Sequence, residues 1–226
     1  MTRIVFLVDV DNTLLDNDRV QADIRQHLDR EYGPACRDRY WAILEELMSE
    51  LGYRDYLGAL QRYREEHPTD ITLLAMSSFL VDYPFANRLF PHSLDVLERF
   101  RAWGPTVILS DGDVVFQPRK VERSGIADAV ERHVLIYIHK ERALEDVERR
   151  YPADHYVLVD DKIRVLSAVK KIWGERVTTV FVRQGKFALD PKIIGAFPPA
   201  DLSVDRIADL LDIDLVALSS SSEHTP

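Results

Sequence analysis

Ile4-Val5-Phe6-Leu7-Val8-Asp9-Val10-Asp11-Asn12-Thr13 is the stretch on which the fold turns. The run from Ile4 is continuously apolar and rich in β-branched residues. It shows no helical spacing and reads as a strand covered on both faces, as in a parallel sheet. Two carboxylates follow at once. Ligands of open parallel sheets bind outside the carboxyl ends of the strands, so Asp9 and Asp11 are expected to face a crevice and not the core. A carboxylate in that position can attack phosphorus and split one difficult hydrolysis into two displacements. A second carboxylate can protonate the leaving oxygen and then activate water. An acidic pair that merely caps a turn is the plainer reading. A calcium loop is another, but it needs glycine at its sixth position and glutamate at its twelfth. Counting from Asp9 those positions hold Leu14 and Val20, and from Asp11 they hold Asp16 and Ala22, so the calcium reading fails.

Working outward, four more runs of the same kind stand at Thr106 to Leu109, His133 to Ile138, Tyr156 to Val159 and Val177 to Val182. Amphipathic segments separate them, as in repeated βαβ units. Leu94, Leu97 and Phe100 space one helix, which stops at Gly104-Pro105. Leu144, Val147 and Tyr151 space a second, and Ile163, Leu166 and Val169 a third, closed by Gly174. A last helix is expected near Ser203 to Leu211, after a loop at Gln184-Gly185-Lys186.

The first gap differs from the rest. About 95 residues separate the first strand from the second, far more than a crossover needs. Within it Ile24 and Leu28, then Tyr40, Ile43, Leu44, Leu47 and Leu51, then Tyr56, Leu60 and Tyr63, then Leu73, Met76 and Leu80 keep helical spacing. The expected organisation is therefore a three-layer α/β core with a parallel sheet, residues 1–16 and 87–215, interrupted by an α-helical cap at 17–86. A polar tail, 216–226, is expected to be disordered.

Three further strand ends carry chemistry. Val157-Leu158-Val159-Asp160-Asp161 sets a second carboxylate pair at the end of a buried run. Four carboxylates converging on one sheet edge repel one another unless a cation holds them, and a few oxygen ligands suit Mg²⁺. Ser110, in Ile108-Leu109-Ser110-Asp111-Gly112, offers a hydroxyl and a glycine-containing turn whose amides can bind phosphate oxygens. Lys140 follows the third strand directly and can offset the charge of a nucleophile and a transferring phosphoryl group. Lys120 competes for that role, but it falls within a helix, where a solvated lysine is the default, so Lys140 is preferred. His139 reads as a structural histidine. Tyr53, Arg54, Tyr56 and Arg88 are equally readable as ligand contacts or as cap core and surface, and none is assigned.

Bulk properties bound the rest. The 226 residues suffice for a large core without covalent staples, and 46% hydrophobic with 30% charged residues is an ordinary globular composition. A net charge of −9 argues against nucleic acid or an anionic membrane as partner. Cys36 is the single cysteine, so no intrachain disulfide forms, which fits a reducing cytosol. Met1-Thr2-Arg3 leads straight into the first strand without reading as a secretory signal, and a cytoplasmic location is expected. Zinc spacings, a Gly-x-x-x-x-Gly-Lys loop and a Gly-x-Gly-x-x-Gly fingerprint are all absent.

Taken together, Asp9-Val10-Asp11-Asn12-Thr13, Ser110, Lys140 and Asp160-Asp161 resemble the ordered motifs of the haloacid dehalogenase superfamily. The resemblance spans roughly residues 4–183 on four successive strands, with Asp111 standing where many relatives have asparagine. It implies a Rossmann-like core and a magnesium-dependent phosphatase. Asp9 is then nucleophile and metal ligand, and Asp11 is general acid/base and a ligand through its backbone carbonyl. Thr13 and Ser110, with the Asp111-Gly112 turn, bind the substrate phosphate. Lys140 orients the nucleophile, and Asp160 and Asp161 hold Mg²⁺. The stretch from Leu14 to Val20 matches the hinge into the cap. Dehalogenases of the family lack the second aspartate, so Asp11 favours phosphate chemistry. The cap placement points to a small phosphorylated metabolite. A phosphotransferase or mutase, or a low-turnover phosphometabolite-binding regulator, are the alternatives.

Overall fold

The computed structural model describes residues 3–69 and 73–217. Its centre is a parallel sheet of β1 (Ile4–Val8), β2 (Thr106–Asp111), β3 (Val134–Tyr137), β4 (His155–Asp160), β5 (Val177–Val182) and β6 (Leu202–Val204), in the order β3-β2-β1-β4-β5-β6. Every residue of β1, β4 and β5 is buried, as continuous apolar runs require. The chain winds from β1 to one side through β2 and β3, then returns to β4 on the other side. The neighbouring carboxyl ends of β1 and β4 therefore form the switch point where a crevice opens.

Because side chains alternate along a strand, each strand feeds two cores. Phe6 and Val8 of β1 face Val96, Leu97 and Phe100 of helix α4 (Ser93–Trp103), with the Phe6 and Phe100 rings stacked at 4.7 Å. Helices α5 (Phe116–Arg123) and α6 (Ile126–Ala129) share that side. Val5 and Leu7 face the opposite layer, built by α7 (Leu144–Arg150) and α8 (Ile163–Trp173), where Tyr156 stacks on Trp173 at 4.3 Å. The result is a three-layer α/β core. On α4 the buried stripe runs through Val96, Leu97 and Phe100, while Leu94, expected on that stripe, is 37% exposed.

The end of the chain departs from the expected helix. Leu202–Val204 adds a sixth strand beside β5, and only Ile207–Asp212 turns helically, as a 3-10 segment. Three residues with Val204 buried and Ser203 exposed are a short edge-strand signature that a helical reading over Ser203 to Leu211 absorbs. Likewise Gly185–Ala188, read as loop, makes one helical turn. Of the tail expected to be disordered at 216–226, Val216 and Ala217 instead continue a helical turn from Leu215, and residues 218–226 lie outside the described residues.

Between β1 and β2 the chain builds the cap from α1 (Asn17–Leu51), α2 (Tyr56–Glu66) and α3 (Leu73–Val81). Helix α1 breaks at Gly33, where φ is +83°, and the next residue, Pro34, has no amide hydrogen to continue the ladder. Beyond the break, Tyr40, Ile43, Leu44 and Leu47 pack with Tyr56, Ala59, Leu60 and Tyr63 of α2, and the Tyr40 hydroxyl donates to the Tyr56 carbonyl at 2.8 Å. Leu51, placed on the same stripe by its spacing, is 38% exposed. Two backbone contacts gather the chain where it leaves and re-enters the core: Asp16 N to Arg88 O at 2.8 Å and Phe90 N to Leu14 O at 2.9 Å. Arg88 belongs to this neck, pairing with Asp23 at 2.6 Å. No helix among the described residues is long and apolar enough to cross a membrane.

Gly52 ends α1 in the left-handed region, with φ +83°, and donates its amide to Met48 O at 3.0 Å. A Cβ there would lie 2.8 Å from Cε1 of His139, on the core side. The tip of the cap thus rests on the residue before Lys140. Gly52→Ala is expected to lower stability by about 1–2 kcal/mol through the left-handed backbone alone. Urea unfolding of the two proteins measures it, and an unchanged midpoint would contradict this account.

Candidate active site

β1 delivers Asp9 to the crevice while still holding it to the sheet: Asp9 N donates to Val159 O of β4 at 3.0 Å. The chain then folds sharply. Val10 O accepts from Thr13, Leu14 and Leu15 at 3.3, 2.9 and 3.0 Å. Asn12 sits at φ +60°, a conformation its short polar side chain tolerates. The Asn12 Oδ1 accepts the amides of Asn17 and Asp18 at 3.0 and 3.1 Å, so the turn that presents Asp9 also caps the first turn of the cap helix. Thr13 is fully buried, and its hydroxyl donates to Asp9 Oδ2 at 3.3 Å.

Lys140 meets Asp9 from the end of β3. Its Nζ lies 2.5 Å from Asp9 Oδ1, 2.6 Å from Asp160 Oδ2 and 3.2 Å from the carbonyl of Leu109. None of the three charged side chains is more than 1% exposed. Burial alone would raise the Asp9 carboxyl, but the ammonium groups of Lys140 and Lys162 outweigh it and hold Asp9 below the usual carboxylate range. For Lys140, burial works against the charge, and Asp160, Asp9 and Asp111 more than reverse it, so it stays protonated.

The loop after β2 divides its duties. Ser110, 1% exposed, accepts from Gln117 Nε2 at 2.9 Å. Asp111 and Gly112 border the cavity, but their polar groups are committed to the loop. The Asp111 carboxylate accepts the amide of Lys140 at 2.7 Å, and Gly112 N donates to Tyr137 O at 3.0 Å. Asp111 thereby fixes Lys140, and the amide expected to meet phosphate at Gly112 is already taken by β3. His139 lies against Gly52.

Asp160 and Asp161 end β4 beside Asp9. Asp160 Oδ1 accepts Lys162 N at 2.8 Å. Asp161 is 1% exposed, and neither of its carboxylate oxygens has a hydrogen-bond partner among the described residues. Burial without such a partner pushes its carboxyl well above the ordinary range. Asp9, Asp160 and Asp161 each offer an oxygen within 4.8 Å of the others. A hard divalent cation coordinated by oxygen fits this donor set. Asp11 adds no carboxylate to the cluster, because its side chain turns the other way.

That other side was the less legible one. Lys120, expected in solvent, is 1% exposed, with Nζ 2.6 Å from Asp11 Oδ1 and 3.0 Å from Asn17 Oδ1. Gln117, a turn earlier on α5, reaches both Ser110 and, at 3.5 Å, Asp11 Oδ1. The signal was present: Phe116, Gln117, Lys120 and Val121 are the buried face of α5, and four-residue spacing puts Lys120 on the side of Phe116. Lys162 is a second, half-buried cation at this edge. Burial opposes its charge, but Asp9, Asp161 and Asp160 keep its ammonium protonated.

A cavity of about 550 Å³ joins this crevice to the cap. Asp11, Lys120 and Asp161 border it from the core, and Met48, Tyr53, Arg54 and Tyr56 from the cap. The Tyr56 hydroxyl and Arg54 Nε are buried without a hydrogen-bond partner among the described residues, while Arg54 Nη2 pairs with Glu45 at 2.8 Å.

No protein-family model and no curated protein matches the chain. Among solved structures, a haloacid dehalogenase-like hydrolase from Burkholderia xenovorans LB400 is 63% identical over 95% of this chain and 100% of its own, with a TM-score of 0.89. The fold also matches the HAD-hydrolase YfnB of Bacillus subtilis, solved with bound magnesium, at 13% identity, TM-score 0.60, covering 94% and 98% of the two chains. It matches L-2-haloacid dehalogenase of Xanthobacter autotrophicus, solved with chloropropionic acid covalently bound, at 19% identity, TM-score 0.59, covering 96% and 99%. At 63% identity over the whole of the Burkholderia chain, this protein belongs to the haloacid dehalogenase-like hydrolase family.

Proposed function

We propose that this hydrolase is a phosphatase for a small-molecule phosphomonoester and works through an aspartyl-phosphate on Asp9. The observation that carries the reading is Asp161: two buried, unpartnered carboxylate oxygens beside the nucleophile make a place for a divalent cation. Displacement of a halide from carbon needs no such charge, whereas a phosphoryl group brings negative charge that must be offset. Asp11 supports it independently, since a halide leaves without a proton and an alkoxide does not. The magnesium in the fold relative YfnB agrees with this assignment, and the covalent adduct in the Xanthobacter dehalogenase shows what a nucleophile on this fold can do without phosphate.

Asp9, Asp160 and Asp161 would hold Mg²⁺, which supplies charge neutralisation at the phosphoryl oxygens. The chain's own residues do the remaining work. An Asp9 oxygen attacks phosphorus, forming a P–O bond as the ester P–O bond breaks, and the departing alcohol oxygen takes the proton of Asp11. Water then attacks the aspartyl-phosphate and gives a proton back to Asp11. The P–O bond to Asp9 breaks, its electron pair returns to the carboxylate, and phosphate leaves. Lys140 keeps the nucleophile ionised and aligned throughout, itself held by Asp111. The cavity under the cap suits a metabolite-sized leaving group.

Two measurements test this. Hydrolysis of an aryl phosphate should need Mg²⁺, stop with EDTA, and fall at least about 10³-fold in Asp9→Asn, as removal of a nucleophile does. Activity that survives the substitution would rule out the aspartyl-phosphate route. Transfer of phosphate to an added sugar instead of water would favour the phosphotransferase alternative. The second measurement concerns protons. Burial raises the Asp161 carboxyl, so its contribution to stability is present below the ordinary carboxyl range and is lost as pH rises through its raised value. A cation there replaces the proton. Mg²⁺ should therefore raise the melting temperature more at about pH 8 than at about pH 5, and calorimetry in two buffers should show proton release on binding. Equal stabilisation at both pH values would remove Asp161 from the cation site.

A further inference from the structure

We infer that Lys120 is the positioning residue of Asp11 and links it to the first residue of the cap; this rests on the phosphatase reading. The ammonium is buried, yet it lies among none of the metal-site carboxylates. Its two hydrogen bonds go to Asp11 Oδ1 at 2.6 Å and Asn17 Oδ1 at 3.0 Å. Gln117 Nε2 approaches the same Asp11 oxygen at 3.5 Å. Both donors fall on Oδ1, which leaves Oδ2 to carry the proton in one half-reaction and to receive it in the next. An ammonium hydrogen-bonded to a carboxylate fixes its plane far better than water does. A side chain that is only 23% exposed and must act twice per turnover depends on that fixed plane.

The shared partner adds a second consequence. Asn17 opens α1, and Asp11 sits in the turn whose Asn12 caps the same helix. One ammonium therefore spans the general acid/base and the start of the cap. The phenotype that follows is selective. Among the described residues Lys120 makes its hydrogen bonds to Asp11 and Asn17 and none to Asp9, Lys140 or the carboxylate cluster, so attack on a substrate with a good leaving group does not need it. Cleavage of the aspartyl-phosphate does, because water must give its proton to Asp11.

The test is rapid-mix kinetics of Lys120→Met with dinitrophenyl phosphate and Mg²⁺, whose leaving group departs without a proton. The first burst of dinitrophenol should keep its rate within about threefold, while steady turnover falls about 100-fold, the scale of a lost proton transfer, and phosphoenzyme accumulates. Phenyl phosphate, which needs the proton, should lose its burst as well. Asp11→Asn should behave alike, and adding Lys120→Met to it should change little further, since the two act as one unit. Asn17→Leu should fall between wild type and Lys120→Met. If Lys120→Met does not fold, Lys120→Gln, which keeps a donor but loses the charge, should keep its burst while its turnover falls between those of wild type and Asp11→Asn. A burst slowed as much as the turnover, or additive losses in the double variant, would overturn the assignment. Wild type that releases neither phenol defeats the phosphatase reading itself, which is a separate result.

Discussion

Three carboxylates, Asp9, Asp160 and Asp161, meet within 4.8 Å of one another where almost no water reaches them. Each would be costly to bury alone and costlier beside the others, and breaking a buried pair by removing one partner typically costs several kcal/mol. The rest of the site is arranged around that repulsion. Lys140 touches two of the three, and Lys162 lies close enough to raise its own affinity for a proton. Asp111 spends its carboxylate on the Lys140 backbone amide, holding the ammonium's anchor in place. What remains without a hydrogen-bond partner among the described residues is Asp161, whose burial favours its protonated form, and that is where the proposed cation would replace a proton.

The same economy explains why cap and nucleophile cannot be treated as separate pieces. Asn12 takes a left-handed conformation to turn the chain after Asp9, and its side chain satisfies two orphan amides of the cap helix. At the opposite end of α1, Gly52 lets the cap tip touch His139, the neighbour of Lys140. The helix that bounds the cavity is thus fastened at both ends to residues adjoining Asp11 and Lys140, the proposed catalytic groups. Movement of the cap would be felt at Asp11 and Lys140 through covalent neighbours, without any long-range relay.

How much of this the sequence disclosed follows from which forces act locally. Continuous apolar runs ended by carboxylates mark buried parallel strands feeding a crevice, and that logic locates Asp9, Ser110, Lys140, Asp160 and Asp161 at one sheet edge because strand ends are set by short-range pattern. The failures are contacts between distant elements. Lys120 reads as solvated because helical lysines usually are, although it shares the buried face of Phe116 and Val121; only the fold places Asp11 opposite it. Gly112 looked free to bind phosphate because its partner, Tyr137 O, comes from the adjacent strand. β6 was missed for the opposite reason: three residues at an edge carry too little pattern to outvote the apolar residues that follow.

Lys120 and Lys140 together show why two lysines were needed where one motif was expected. A single ammonium cannot serve both aspartates, because Asp9 and Asp11 diverge across a turn, one toward the β4 carboxylates and the other toward α5. The two also have opposite requirements. As the proposed nucleophile Asp9 stays ionised, because the ammonium groups of Lys140 and Lys162 outweigh the burial that favours its protonated form. In the proposed cycle Asp11 exchanges a proton twice, and its partial exposure and its ion pair with Lys120 suit that role. Placing one lysine at a strand end and the other on a helix face lets a turn of five residues present two carboxylates in different electrostatic surroundings. In the proposed mechanism that division lets acid and base chemistry run beside an ionised nucleophile.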